Sequence, residues 1–133
     1  MRMLSKGALT MGSGATLGAA IALAISAPAA GSAAAARPRP VGFVQCAACH
    51  SVEPGRNGVG PSLAGVAGRK AASLPGFNYS NALKGSGLTW DEASLDRWLT
   101  SPQRTVPGTK MPFVGIPDPT KRKEVIDYLM TLK

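Results

Sequence analysis

Residues 44–55 read VQCAACHSVEPG, and this stretch holds both cysteines of the chain, Cys46 and Cys49, and its only histidine, His50. Three ways of using such side chains fall short. A disulfide between Cys46 and Cys49 would close a very short loop and constrain the unfolded chain little. A thiol–disulfide redox pair normally opens a helix beside a βαβ pattern, and no such pattern is present. A tetrahedral zinc site needs further Cys or His ligands, and the sequence has none to spare.

The spacing C-x-x-C-H employs all three residues, and it is the attachment motif for c-type haem. Each thiol adds to a vinyl group of the ring. One helical turn sets two sulfurs along one edge, and the next residue aims its imidazole at the iron. His50 thus takes one axial position, and the second ligand cannot be another histidine. Beyond residue 36 the methionines are Met111 and Met130. Met130 follows Leu129 in a helical pattern and reads as a core filler. Met111 lies in VPGTKMPF, residues 106–113, where Pro107 and Pro112 stiffen the backbone. A thioether held on a rigid arm suits an iron ligand, with Lys110 as the competing candidate.

Outward from this motif, 133 residues suffice for one domain. Sixteen glycines and few aromatic residues point to a small core with tight turns, which normally needs a disulfide, metal or bound group to stabilise it. The first 36 residues read as an address. Arg2 and Lys6 precede an uncharged apolar stretch, and Ala27-Pro28-Ala29 and Ala34-Ala35-Ala36 offer small-x-small cleavage patterns. The expected division is an export signal over 1–36 and a folded domain over 37–133, with a retained membrane anchor as the alternative. The domain carries thirteen Lys and Arg against seven Asp and Glu, a net of +6. That balance fits docking to acidic proteins or anionic lipid, and export argues against nucleic acid.

The periodicity is helical. Pro38 and Pro40 make ARPRPVG an extended lead-in. FNYSNALKGSG has room for one or two turns, begun by Asn78 or Ser80 and stopped by Gly85. In LTWDEASLDRWLTSP, Thr89 and Glu92 stand at capping-box spacing, Leu95, Trp98 and Leu99 share a face, and Pro102 marks the end. A last helix begins with Asp118 as cap and Pro119 in the first position, with Val125, Tyr128, Leu129 and Leu132 on one face. RTVPGTKMPFVGIP between them reads as an irregular arm. No sandwich or barrel strand pattern occurs, so the class is all-α.

CAACH, GVGPSLAG, GRK, PGFNYS, GLTWDE, VPGTKMPF and the closing VIDYL together resemble the class I c-type cytochromes, specifically mitochondrial-type cytochrome c and its soluble bacterial relatives. The likeness runs from about Phe43 to Lys133. It implies a small fold wrapped around one haem c, bound covalently through Cys46 and Cys49 and ligated by His50 and Met111. It further implies that the Pro61 carbonyl accepts from the His50 ring. Arg69, Tyr79 and Trp90 correspond to residues that hold the buried propionates. Thr109 corresponds to the hydroxyl residue near the methionine, and Leu63, Leu95, Trp98 and Leu99 correspond to pocket walls.

Three departures stand out. Pro38, Pro40 and Gly42 leave at most a turn before Cys46, so the N-terminal helix is shortened and the groove on the C-terminal helix is either poorly covered or filled by residues of the 1–36 segment. Leu83 stands where many relatives have an amide and Trp98 where many have Tyr, which makes the methionine side less polar. The basic ring at the haem edge is thin, with Lys110 and Arg104 remaining. This directs attention to Lys121-Arg122-Lys123 as a docking element or a solvated helix face.

The resemblance implies a one-electron carrier and not an enzyme. Its expected partners are acidic redox proteins, such as a quinol–cytochrome c oxidoreductase or dehydrogenase and a terminal oxidase. Its expected place is the periplasm, with membrane association if residues 1–36 are retained. The alternatives are a haem peroxidase or gas-binding protein, which needs an open sixth position, and a tethered subunit of a larger redox complex.

Overall fold

The computed structural model describes Gly12 and residues 37–132. The expected export signal over 1–36 therefore lies, apart from Gly12, outside the described residues. Among the described residues five short helices follow in chain order: α1 (Val44–Ala47), α2 (Asn81–Lys84), α3 (Glu92–Thr100), α4 (Pro102–Thr105) and α5 (Pro119–Leu129). Among the described residues the only β feature is an isolated antiparallel bridge, Lys70 to Thr89. No helix among them is long and apolar enough to cross a membrane.

The helix starts follow local chemistry. Ser80 caps α2 by accepting from Leu83 N, and Gly85 ends it. Asp118 accepts from the backbone N–H of Thr120 and Lys121, and Pro119 fills the position where its missing N–H costs nothing. The capping box of α3 differs from the sequence expectation: it is Asp91 with Ser94, not Thr89 with Glu92. Thr89 instead offers its carbonyl to Ser94 Oγ. Pro102 also plays a different part, because α3 ends at Thr100 and Pro102 opens α4. The irregular arm is correspondingly shorter than expected and begins after Thr105.

The C-terminal helix is covered, and by less chain than a full helix would use. A 3-10 turn, Val41–Phe43, leads directly into α1. Phe43 is fully buried and meets the Tyr128 ring edge-on, with centroids 4.8 Å apart. Gly42 permits this approach, since a Cβ there would lie 3.1 Å from Val125 Cγ2. Of the two expectations for α5, poor cover is corrected: among the described residues one buried ring and one glycine close on the helix where Pro38 and Pro40 leave no full helix. Burial of such a ring contributes about 1.5–3 kcal/mol.

Helix α3 packs on α5 and on α4. Leu95, Trp98 and Leu99 of α3 and Val125, Ile126 and Leu129 of α5 are all buried. Met130 is half-buried against this cluster, as a core filler would be. Leu83 of α2 and, from the loops, Tyr79 and Trp90 join the same core, and together these groups make the wall of a cavity.

Candidate functional site

The cavity has a volume of about 360 Å³. On one side stands the Cys-His turn. Cys49 N and His50 N both donate to Cys46 O, at 3.1 and 2.9 Å, so the chain wraps once around and brings all three side chains to the wall. The thiols of Cys46 and Cys49 are not joined. Burial, helped by repulsion from Cys49, pushes the Cys46 thiol up, although a backbone hydrogen bond opposes the rise. A reactive redox thiol needs the opposite shift. Among the described residues there is no group of three or more His, Cys, Asp and Glu that could hold a metal ion.

The His50 ring is fixed from two directions. Its Nδ1 donates to Pro61 O at 2.7 Å. That bond assigns the proton to Nδ1 and leaves Nε2 with a lone pair, the form that ligates metals. Burial pushes the imidazole pKa down, partly offset by the Pro61 bond, and so favours the neutral ring. Gly60 forms the second restraint: a Cβ there would lie 2.6 Å from Nδ1 and 2.8 Å from Nε2. The segment bearing Gly60 and Pro61 is itself held. Gly60 N bonds Cys49 O at 2.9 Å, Leu63 N bonds Ser51 O at 2.8 Å, and buried Ser62 donates to Glu53 O at 2.6 Å.

The irregular arm supplies the other side. Met111 is half-buried and faces the cavity beside buried Thr109, while Lys110 between them is exposed at its edge. The aromatic end holds Tyr79, Trp90 and Trp98. The two indoles are tilted with centroids 5.2 Å apart, and Phe77 meets Tyr79 edge-on at 4.8 Å. Burial pushes the Tyr79 phenol up, against the opposing pull of the Arg69 charge. Arg69 donates to Ala64 O at 2.8 Å and to Ser62 O at 3.0 Å. Its backbone carbonyl accepts from Trp90 N at 2.9 Å.

Cys46, Cys49, His50, Pro61, Arg69, Tyr79, Trp90, Trp98, Thr109 and Met111 all line this one cavity. So do Leu63, Leu95 and Leu99. Gly60, Val66 and Phe77 were not singled out from sequence. Gly60 had a readable signal, because it stands next to Pro61 in a glycine-rich loop. Phe77, two residues before Tyr79, had only its aromaticity.

The sequence pattern of the family described as cytochrome c matches residues 29–133. The chain belongs to the cytochrome c family. It is 56% identical over 94 residues to cytochrome c2 iso-2 of Magnetospirillum molischianum, an alignment covering 71% of this chain and 97% of that protein. It is 55% identical over 92 residues to cytochrome c2 of Rhodoblastus acidophilus, covering 68% and 86%. Among solved structures, cytochrome cH from Methylobacterium extorquens is similar with a TM-score of 0.64 and 54% identity, covering 68% of this chain and 91% of that one. The fold is the small all-α class I cytochrome c fold, and the cofactor of the family is haem c, for which Cys46, Cys49 and His50 stand in the attachment arrangement. The residues fit that group: two unjoined thiols, a neutral imidazole with its outer nitrogen available, and apolar walls.

Proposed function

We propose that this protein is a one-electron carrier in which Cys46 and Cys49 would hold a haem c covalently and His50 and Met111 would ligate its iron. The observation that carries the reading is the sharing of one cavity by the His50 imidazole and the Met111 thioether, with both thiols on the same wall. When bound, haem c supplies a one-electron iron couple. The chain's own part is to hold that centre rigid and dry. The Pro61 bond and Gly60 orient His50, and the half-buried arm presents Met111. Trp90, Trp98, Leu95 and Leu99 exclude water. With both residues as ligands the iron would have no position left for substrate chemistry, and Met/His ligation would raise its reduction potential. Arg69, Tyr79 and Trp90 are assigned to the propionates and Thr109 to the methionine side.

The expected surroundings are the periplasm, reached by the signal over 1–36. The expected donor is a quinol–cytochrome c oxidoreductase or a dehydrogenase, and the expected acceptor a terminal oxidase. The Lys121-Arg122-Lys123 run supports docking less than its charge implies. Arg122 turns inward onto Asp96 and two carbonyls, and Lys123 pairs with Asp127 at 2.7 Å. Exposed Arg104 in the last turn of α4 and exposed Lys110 beside Met111 are the better contacts for an acidic partner. Rates of electron exchange should then fall as salt is added.

The test is the absorption spectrum of the reduced protein, matured in a host that attaches c-type haem, before and after carbon monoxide. A low-spin spectrum unchanged by the gas supports the carrier. Rapid formation of a carbonyl spectrum would mean an open sixth position and would replace the carrier with an enzyme or sensor.

A further inference from the structure

The arm that bears Met111 has few internal restraints. Pro107 and Pro112 have no N–H to donate. From Val106 to Pro117 the backbone bonds are Val106 N to Pro102 O at 2.9 Å, Thr109 N to Val106 O at 3.1 Å and Ile116 N to Leu99 O at 2.7 Å, and none involves Met111. What reaches Met111 is a side chain. Gln103 Nε2 donates to Thr109 O at 3.1 Å and to Met111 O at 3.2 Å. Both partners are carbonyl oxygens, which accept only, so the amide nitrogen must face them and its two hydrogens match the two acceptors.

Gln103 stands on a firm base. It lies in α4, whose first residue, Pro102, is almost fully buried. Thr105 Oγ1 bonds Arg97 O at 2.8 Å and Ser101 O at 2.9 Å, tying α4 to α3. One amide thus links a packed helix to the two backbone positions that bracket exposed Lys110.

We propose that Gln103 is a positioning residue that holds the Met111 arm closed, and so limits how readily the thioether leaves the cavity wall. This rests on the reading of Met111 as an axial ligand. Gln103 touches neither the cofactor nor the reacting atoms and acts through the arm alone.

The test uses the haem-loaded protein and three variants. Gln103→Leu removes both donors at similar size. Gln103→Glu keeps the shape and sets a carboxylate against two carbonyl oxygens. Met111→Ala removes the thioether. Two quantities are read: the association rate of carbon monoxide with the reduced protein, and the pH at which the oxidised protein loses its far-red sulfur-to-iron band. Loss of two neutral hydrogen bonds should raise the gas rate about tenfold in Gln103→Leu, and further in Gln103→Glu. The band should be lost at lower pH in both. Hydrogen exchange in the haem-loaded protein gives an independent readout, with faster exchange at Thr109 N–H, which bonds Val106 O at 3.1 Å, expected in both Gln103 variants. If Met111→Ala opens the iron while both Gln103 variants keep wild-type gas rates and band, the positioning role is wrong and the ligation stands. If Met111→Ala itself keeps the wild-type band and gas rate, the ligation reading fails and the inference falls with it.

Discussion

The imidazole Nδ1 of His50 lies 2.7 Å from the carbonyl oxygen of Pro61, and Gly60, one residue before, leaves no room for a side chain against the same ring. One loop therefore sets both the tautomer and the orientation of the histidine. Hydrogen bonding fixes the proton, and close approach fixes the plane.

Gly60→Ala should displace the ring. The new Cβ would overlap imidazole atoms, and Gly60 N is bonded to Cys49 O, so the backbone cannot simply retreat. Overpacking of this kind costs about 1–3 kcal/mol. Denaturant unfolding of the haem-loaded variant should show that loss, with a shifted reduction potential. Wild-type stability and potential together would sink the idea that Gly60 restrains His50.

Phe43 tests the short N-terminal cover. Phe43→Ala empties a fully buried site against Tyr128 and should cost about 3–5 kcal/mol, with Phe43→Leu costing less. Guanidinium midpoints of the two variants decide it. If Phe43→Ala unfolds at the wild-type midpoint, the covering of α5 by this ring is not what stabilises the N-terminal end.

Much of this was legible in the sequence, because the chemistry is local. C-x-x-C-H needs only one turn of chain, and Asp118-Pro119 and Ser80 carry their capping signals within four residues. What was not legible depended on contacts between distant segments. Thr89 and Asp91 both precede a possible partner by three residues, and spacing alone does not say which one faces the helix start. Pro102 is as good a start for α4 as a stop for α3. Pro38, Pro40 and Gly42 read as an inability to build a helix. In the fold, Gly42 is the point where the chain passes close to Val125. Phe77 reaches the cavity through its contact with Tyr79, and nothing near it in sequence announces that.

Asp91 should leave a mark on the acid limb of stability. Its carboxylate accepts from Ser94 N at 2.7 Å, and this bond, supported by the Ser94 hydroxyl, holds its pKa below the ordinary value. The unfolded chain therefore binds the proton more readily. The contribution is present above the ordinary aspartate pKa and is lost as pH falls through the lower folded value. Asp91→Asn keeps an acceptor and loses the titration. Its thermal midpoint should stay near wild type at neutral pH and fall less steeply toward pH 3. Asp91→Ala should lose a few degrees at neutral pH as well. Parallel acid limbs for wild type and Asp91→Asn would remove Asp91 from the account.

Within Lys121-Arg122-Lys123 the three charges have different environments, so they should give different phenotypes. Arg122 is only 12% exposed and bonds Asp96 Oδ1 at 2.7 Å and Ile116 O at 2.8 Å. It therefore ties α5 to α3 and to the end of the arm. Arg122→Ala leaves two carbonyls and a carboxylate without this donor and should cost about 1–3 kcal/mol. Arg122→Lys keeps the charge but not the fork, and should recover part of that loss. Lys121 is exposed, so Lys121→Ala should leave stability within about 0.5 kcal/mol of wild type. If the run were a docking element, Lys121→Ala and Arg122→Ala would weaken electron exchange with an acidic partner alike. The structure leads to another outcome: Lys121→Ala changes neither stability nor exchange much, and Arg122→Ala changes stability first. Unfolding midpoints and exchange rates at two salt concentrations separate the cases. A large, salt-sensitive loss of exchange in Lys121→Ala would return the run to the docking surface.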